Sequence, residues 1–339
     1  MRPQHEKPTS EQPPKLIDNF GRVMNYLRLA VTDRCNLRCV YCMPEKGIDW
    51  IPREEILTYE EMYRVVRLFV EMGVTKVRLT GGEPFLRKGL MDFIAWIGEL
   101  PHLKRIHVTT NGVLTAPFVP RLKEIGIGSI NLSLDTLRPD RFFQIARRNA
   151  FHAVMETFHR ILEYEIPLKV NMVVYEGLNE DEIVPIAQLA ENHPIEVRFI
   201  EQMPFNGNGG FRHIRFSWKK ILETLESAFP GMERVGDHAS TATLFRVPGF
   251  RGRLGIIGGY SRVFCDSCSR IRVTPRGMMK TCLYDNGVLD LKRLMRSGAS
   301  DEQIKQAIRE KILDRAENGF EAEKRVRRVN ADSMATIGG

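Results

Sequence analysis

The sequence predicts an α/β fold built on a parallel sheet, and three observations carry that expectation. Between Tyr26 and about Ile200, six short β-like runs alternate with helical stretches, the rhythm of repeated βα units. The runs fall at about 26–32, 76–80, 105–110, 129–134, 167–174 and 196–200, and each places polar residues at every second position. Loop residues able to carry chemistry follow the ends of these runs, where catalytic loops of parallel barrels sit. Six units predict an open, incomplete barrel.

The first run carries Arg28 and Thr32 on one face against Leu27 and Leu29 on the other, and leads into Cys35. A helix follows whose start is marked by the capping box Thr58-x-x-Glu61 and whose end is marked by Gly73. The second run sets Lys76, Arg78 and Thr80 against Val77 and Leu79, and precedes Gly81-Gly82-Glu83-Pro84. The third sets His107 and Thr109 against Ile106 and Val108, ahead of Asn111-Gly112. The fourth sets Asn131 and Ser133 against Ile130, Leu132 and Leu134, ahead of Asp135. The fifth and sixth place Lys169, Asn171 and Arg198 opposite Val170, Met172, Val197 and Phe199. Buried parallel strands usually read apolar on both faces, so the polar set predicts a cation-rich cavity suited to a phosphorylated substrate. A half-solvated antiparallel sheet shows the same alternation, but the intervening helices speak against it.

Composition narrows the class further. The 339 residues are 43% hydrophobic, enough for a large core, and 50 Lys and Arg against 42 Asp and Glu give a net charge of +8. The basic residues are dispersed, without an Arg-rich run interleaved with aromatics, so an anionic small substrate accounts for them and nucleic acid is not expected. No stretch approaches a membrane span. Residues 1–18 combine charges and prolines with no apolar run, and are expected to form a disordered leader rather than a signal peptide. Neither Gly81-Gly82 nor Gly126-Ile127-Gly128 completes a phosphate-loop or dinucleotide motif.

All six cysteines fall into two triplets, Cys35, Cys39 and Cys42, and Cys265, Cys268 and Cys282. The Cys-x3-Cys-x2-Cys spacing of the first lets one loop wrap three sulfurs around an iron-sulfur cubane and leave its fourth iron open. Disulfides suit short secreted chains, and structural zinc would want a fourth ligand, for which His5 and His102 are not spaced. The Cys-x2-Cys-x13-Cys spacing of the second triplet also suits a zinc knuckle with a distant ligand. Arg270 and Arg272, at alternate positions after Cys268, favour a site that holds an anion beside the metal. Reduced cysteines predict a cytoplasmic protein.

With Tyr41 before the last cysteine of the first triplet and the Gly81-Gly82-Glu83-Pro84 turn, the chain resembles the radical S-adenosylmethionine superfamily. The second triplet, Arg270, Arg272 and the final Gly338-Gly339 make it similar to the GTP 3',8-cyclase family within that superfamily, from about residue 20 onwards. The resemblance implies a partial (βα)6 TIM-like barrel over residues 19–216. A C-terminal region over 217–330 would close its open side and carry a second cluster, and a tail over 331–339 would enter the active site. It implies two 4Fe-4S clusters and S-adenosylmethionine as cofactors. Reductive cleavage of the latter would yield a 5'-deoxyadenosyl radical that takes the ribose 3' hydrogen of GTP, giving 3',8-cyclo-7,8-dihydro-GTP in the first step of molybdenum cofactor biosynthesis. It also implies a low-potential electron donor and a next enzyme in the pathway; the sequence allows a homodimer without specifying the assembly.

Carried onto this sequence, the resemblance implies that Cys35, Cys39, Cys42, Cys265, Cys268 and Cys282 ligate the clusters. Tyr41, Gly82, Ser133 and Met203 would surround S-adenosylmethionine. Arg28, Arg78, Thr109, Lys169, Arg270, Ile271 and Arg272 would hold GTP, and Arg270, Arg272, Gly338 and Gly339 would serve catalysis. Two segments depart from the family's pattern. Arg147-Arg148-Asn149 stands where a glycine-containing segment is common, and Gly258-Gly259-Tyr260 replaces a more apolar approach to Cys265. The alternatives are a radical S-adenosylmethionine peptide-maturing enzyme, and a zinc-dependent binding module with both triplets structural.

Overall fold

Alternating side chains with a two-residue period can bury one face against helices and leave the other for a cavity, and the sheet does this along its length. The computed structural model describes residues 13–205, 216–236, 241–326 and 333–338. Six strands match the expected runs: β1 (Tyr26–Ala30), β2 (Lys76–Thr80), β3 (Arg105–Thr110), β4 (Ser129–Ser133), β5 (Leu168–Val174) and β6 (Glu196–Glu201). Consecutive members pair in parallel from β1 to β6.

The C-terminal half adds β7 (Glu233–Val235), β8 (Thr243–Arg246), β9 (Arg253–Ile257), β10 (Arg270–Val273), β11 (Met278–Lys280) and β12 (Leu289–Asp290). Among the described residues all twelve form one sheet, in the order β12-β11-β10-β1-β2-β3-β4-β5-β6-β9-β8-β7. The added strands β10 and β9 pair in parallel with β1 and β6. The parallel core therefore has eight strands rather than six, and the region after residue 217 extends both of its edges. The fold is a partial, TIM-like barrel that stays open, since β12 and β7 end the sheet without pairing to each other.

Every residue expected on the greasy face, from Leu27 and Leu29 to Val197 and Phe199, lies in the main apolar core. The helix Tyr59–Glu71 covers this face with Met62, Val65, Val66 and Phe69. Its capping box is closed: Thr58 Oγ1 accepts from the Glu61 amide at 3.2 Å and Glu61 Oε2 from the Thr58 amide at 2.8 Å. Gly73 ends the turn with φ +98°, a left-handed conformation that favours glycine.

Three expectations need correction. Residues 13–18 are not a disordered leader: Leu16 and Asp18 are buried, Met24 donates its amide to the Leu16 carbonyl at 2.7 Å, and Ile17 bridges Val23. Residues 1–12 of that expectation lie outside the described residues. Thr32 leaves the strand face, because β1 ends at Ala30 and Thr32 Oγ1 instead accepts from the Arg34 amide at 3.1 Å. Ile271 turns its side chain into the apolar core, as the register beside Leu27 requires.

Candidate active site

A cavity of about 1150 Å³ opens on the polar side of the sheet, and all six cysteines line it. The two triplets, 223 residues or more apart in sequence, thus share one hollow, and none of the six thiols is in a disulfide.

The first triplet sits on the loop after β1, and the Gly81-Gly82 turn after β2 is what the loop packs on. The Gly82 amide donates to the Thr32 carbonyl at 2.9 Å, and the Glu83 amide to the Arg34 carbonyl at 2.7 Å. A Cβ on Gly81 would lie 2.2 Å from the Thr32 carbonyl oxygen, and one on Gly82 would lie 2.2 Å from that of Arg34. Glu83 is fully buried and accepts from the Asn111 amide at 2.7 Å; burial raises its carboxyl to about 7. Asn111 in turn donates through Nδ2 to Cys35 Sγ at 3.6 Å. Burial pushes the Cys35 and Cys39 thiols up and takes Cys42 up to about 12. Three desolvated soft donors of this kind need the positive charge of a metal cluster to become thiolates. Tyr41 donates its hydroxyl to Asp135 Oδ2 at 2.6 Å, and Asp135 Oδ1 accepts from the Val173 amide at 2.8 Å.

The second triplet is surrounded by guanidinium groups. Arg270 Nη2 lies 3.4 Å from Cys268 Sγ, and Arg315 Nη2 donates to the same sulfur at 3.0 Å. Burial would raise the Cys268 thiol, but Arg270 and Arg315 outweigh it and hold its pKa down at about 6. The Gly319 amide donates to Cys265 Sγ at 3.4 Å, and Asp285 accepts from the Cys282 amide at 2.8 Å. Among the described residues no three His, Cys, Asp or Glu side chains converge on a single metal ion, as a compact zinc site would require. The donor set fits clusters held by three thiolates each.

Strand register builds the cationic wall between the triplets. Arg272, Arg28, Arg78 and His107 are lateral neighbours across β10, β1, β2 and β3, and Thr109, Asn131 and Lys169 form a parallel row. Burial, followed by the charge of Arg272, lowers the Arg28 guanidinium well below its usual value. Burial, followed by Arg270, takes Arg272 down to about 10. Lys169 is pushed down to about 8 by burial and Arg198, although its ammonium lies 3.3 Å from Glu196. Burial would raise the Tyr26 phenol, but Arg78, whose Nε donates to it at 2.6 Å, and Arg28 bring it to about 7. Cations crowded in this way are stabilised by a polyanion. The carbonyl oxygens of the Asn131 and Asn171 side chains, which line the same cavity, have no hydrogen-bond donor among the described residues and suit a ligand that brings one.

Arg28, Tyr41, Arg78, Gly82, Thr109, Ser133, Lys169, Met203, Arg270 and Arg272 all line the cavity, and Ile271 does not. Gly338 reaches its wall, where Arg272 Nη1 donates to the Gly338 carbonyl at 2.7 Å; Gly339 lies outside the described residues. The tail is fixed upstream by Ser333, whose hydroxyl donates to the Cys42 carbonyl at 2.7 Å. Both departures from the expected pattern have local causes. Arg147 sits at φ +54°, where glycine is the easier residue, but its Nη1 donates to the Arg38 and Met43 carbonyls of the first cysteine loop at 3.4 Å, and a Cβ on Gly259 would lie 2.7 Å from Met203 Sδ. Sequence reasoning missed Arg315, Arg22 and Ser333, which reach the cysteine loops only through contacts far apart in the chain, and Asp18, which pairs with both arginines.

An open parallel sheet with three thiols on the loop after its first strand places the chain in the radical SAM superfamily, whose family model matches residues 29–190. The model for Molybdenum Cofactor Synthesis C matches residues 195–321. The GTP 3',8-cyclase of Alkaliphilus metalliredigens is 42% identical over 95% of this chain and 99% of its own length, and the chain belongs to that family. Molybdenum cofactor biosynthesis protein 1 of Bos taurus is 45% identical over 86% of this chain, and the match spans 47%, about half, of that longer relative. Streptococcus suis SuiB bound to S-adenosylmethionine shares the fold, with a TM-score of 0.61 at 14% identity over 85% of this chain and 68% of its own. No helix among the described residues is long and apolar enough to cross a membrane.

Proposed function

We propose that the chain is a GTP 3',8-cyclase that forms 3',8-cyclo-7,8-dihydro-GTP in the first step of molybdenum cofactor biosynthesis. The observation that carries this reading is the meeting of both cysteine triplets in one cavity with a guanidinium-lined wall between them. When bound, the first 4Fe-4S cluster and S-adenosylmethionine supply one-electron hydrogen abstraction, here at the ribose 3' position.

Cys35, Cys39 and Cys42 would hold that cluster, with Tyr41, Gly82, Ser133 and Met203 enclosing S-adenosylmethionine. Arg28, Arg78, Thr109 and Lys169 would bind the triphosphate, and Arg270 and Arg272 would add charge-assisted hydrogen bonds. Cys265, Cys268 and Cys282 would hold the second 4Fe-4S cluster, which would supply a binding point for the guanine edge of GTP. The segment 333–338 lies against the Cys42 loop and β10, and would exclude water while bringing Gly338 and Gly339 to the substrate. A low-potential electron donor, transfer of product to the next enzyme, a homodimer and a cytoplasmic location complete the proposal and rest on family membership.

Anaerobic incubation of the reconstituted protein with S-adenosylmethionine, dithionite and GTP should give 5'-deoxyadenosine and a cyclised nucleotide in equal amounts. Cleavage of S-adenosylmethionine with GTP recovered intact would overturn the substrate assignment. The peptide-maturing alternative is disfavoured by a relative that carries the cyclase name along nearly its whole length. The zinc alternative predicts a colourless protein without sulfide.

A further inference from the structure

Arg315 follows the helix Asp301–Leu313, far from any motif, yet its side chain is only 3% exposed. Its guanidinium reaches the second cysteine loop twice, donating through Nη1 to the Cys268 carbonyl at 2.8 Å and through Nη2 to Cys268 Sγ at 3.0 Å. Behind it lies Asp18, fully buried, at 3.4 Å. Asp18 is itself held at 2.7 Å by Nε of Arg22, and Arg22 continues to the carbonyls of Cys265 at 3.0 Å and Ala316 at 2.9 Å.

The charges in this network do not cancel. Among the described residues Asp18 is the only carboxylate paired with either guanidinium, so two buried cations face one buried anion. A buried, uncompensated positive charge is costly unless an anion answers it, and the group that Arg315 points at is a cluster-ligand sulfur. Hydrogen bonds and positive charge at a ligand sulfur stabilise the more negative, reduced cluster and raise its potential.

We infer that Arg315 is a positioning residue of the second cluster: anchored by Asp18, it holds Cys268 in place and sets the cluster's reduction potential. Arg270 contacts the same sulfur from β10, whereas Arg315 reaches it from the segment after the helix Asp301–Leu313 and is tied through Asp18 to the N-terminal segment. The inference rests on the functional reading above, because it requires the second triplet to carry an iron-sulfur cluster.

The test is redox titration of both clusters, followed by electron paramagnetic resonance, in wild type, Arg315→Gln and Arg315→Lys holoenzymes without substrate. The expected result is a shift of the second cluster to more negative potential in Arg315→Gln, a smaller shift in Arg315→Lys, and no change in the first cluster. An unshifted second cluster in Arg315→Gln overturns the inference. If Arg315→Gln fails to retain the second cluster, Arg315→Lys decides: retention supports a role for the cation, and loss there too overturns it in favour of a purely structural role. A wild type without two clusters would overturn the functional reading itself, an outcome distinct from two clusters with no shift.

Discussion

Arg272 donates a 2.7 Å hydrogen bond to the carbonyl oxygen of Gly338, fastening the segment 333–338 to β10, the strand between Cys268 and Cys282. Gly338 can lie there because its φ of +84° is left-handed and because a Cβ would come within 2.9 Å of Ala30 Cβ. Arg272→Ala is expected to release the tail at a cost of about 1.5–3 kcal/mol, since the donor is charged. Deuterium uptake across residues 333–338 should rise while that of β1 to β6 stays as in wild type; unchanged uptake would show that the tail is held by other contacts.

Gly81 packs against Thr32, where the first cysteine loop begins. Gly81→Ala adds a methyl 2.2 Å from the Thr32 carbonyl at a φ of +146°, so a loss of about 2 kcal/mol or more in stability is expected. The reconstituted variant should lose the iron of the first cluster and keep that of the second, which iron and sulfide analysis with thermal unfolding will reveal.

His107 gives the wall a pH dependence of known sign. Burial, followed by the charge of Arg78, lowers its imidazole from 6.5 to about 3. Between those values the unfolded chain binds a proton that the folded chain does not, so this group's contribution to stability falls as pH drops below 6.5. The slope approaches about 1.4 kcal/mol per pH unit. Urea midpoints of wild type and His107→Gln at pH 5 and pH 7 should diverge at the lower pH, with the variant the less sensitive of the two.

Arg270 stacks over Phe264 at 4.6 Å and faces the cavity. Arg270→Ala is expected to weaken GTP binding by roughly 10- to 150-fold, the equivalent of about 1.5–3 kcal/mol, with the first cluster's spectrum unchanged. Anaerobic calorimetry that returned the wild-type affinity would remove Arg270 from the substrate site.

The polar wall was legible because strand geometry has a period of two. Arg28, Arg78, His107, Thr109, Asn131, Ser133, Lys169, Asn171 and Arg198 could be assigned to one face without any knowledge of tertiary contacts, and all of them line the cavity. Thr32 escaped the pattern because alternation cannot say where a strand stops. Asp18 was hidden in a stretch whose prolines and charges suggested disorder; its nearest donors are the amides of Phe20 and Arg22 and Nε of Arg22, and Arg315, 297 residues away, adds a contact that no local pattern encodes.

Sequence alone determined the six βα units, the face on which the cations stand and the grouping of the thiols, because backbone periodicity and ligand spacing are properties of neighbouring residues. Tertiary structure alone decided that β10 and β9 would dock on opposite edges of the parallel core, that both triplets would open into one hollow, and that Arg315 would meet Cys268. Those outcomes depend on which distant surfaces bury each other, and no local pattern encodes that choice.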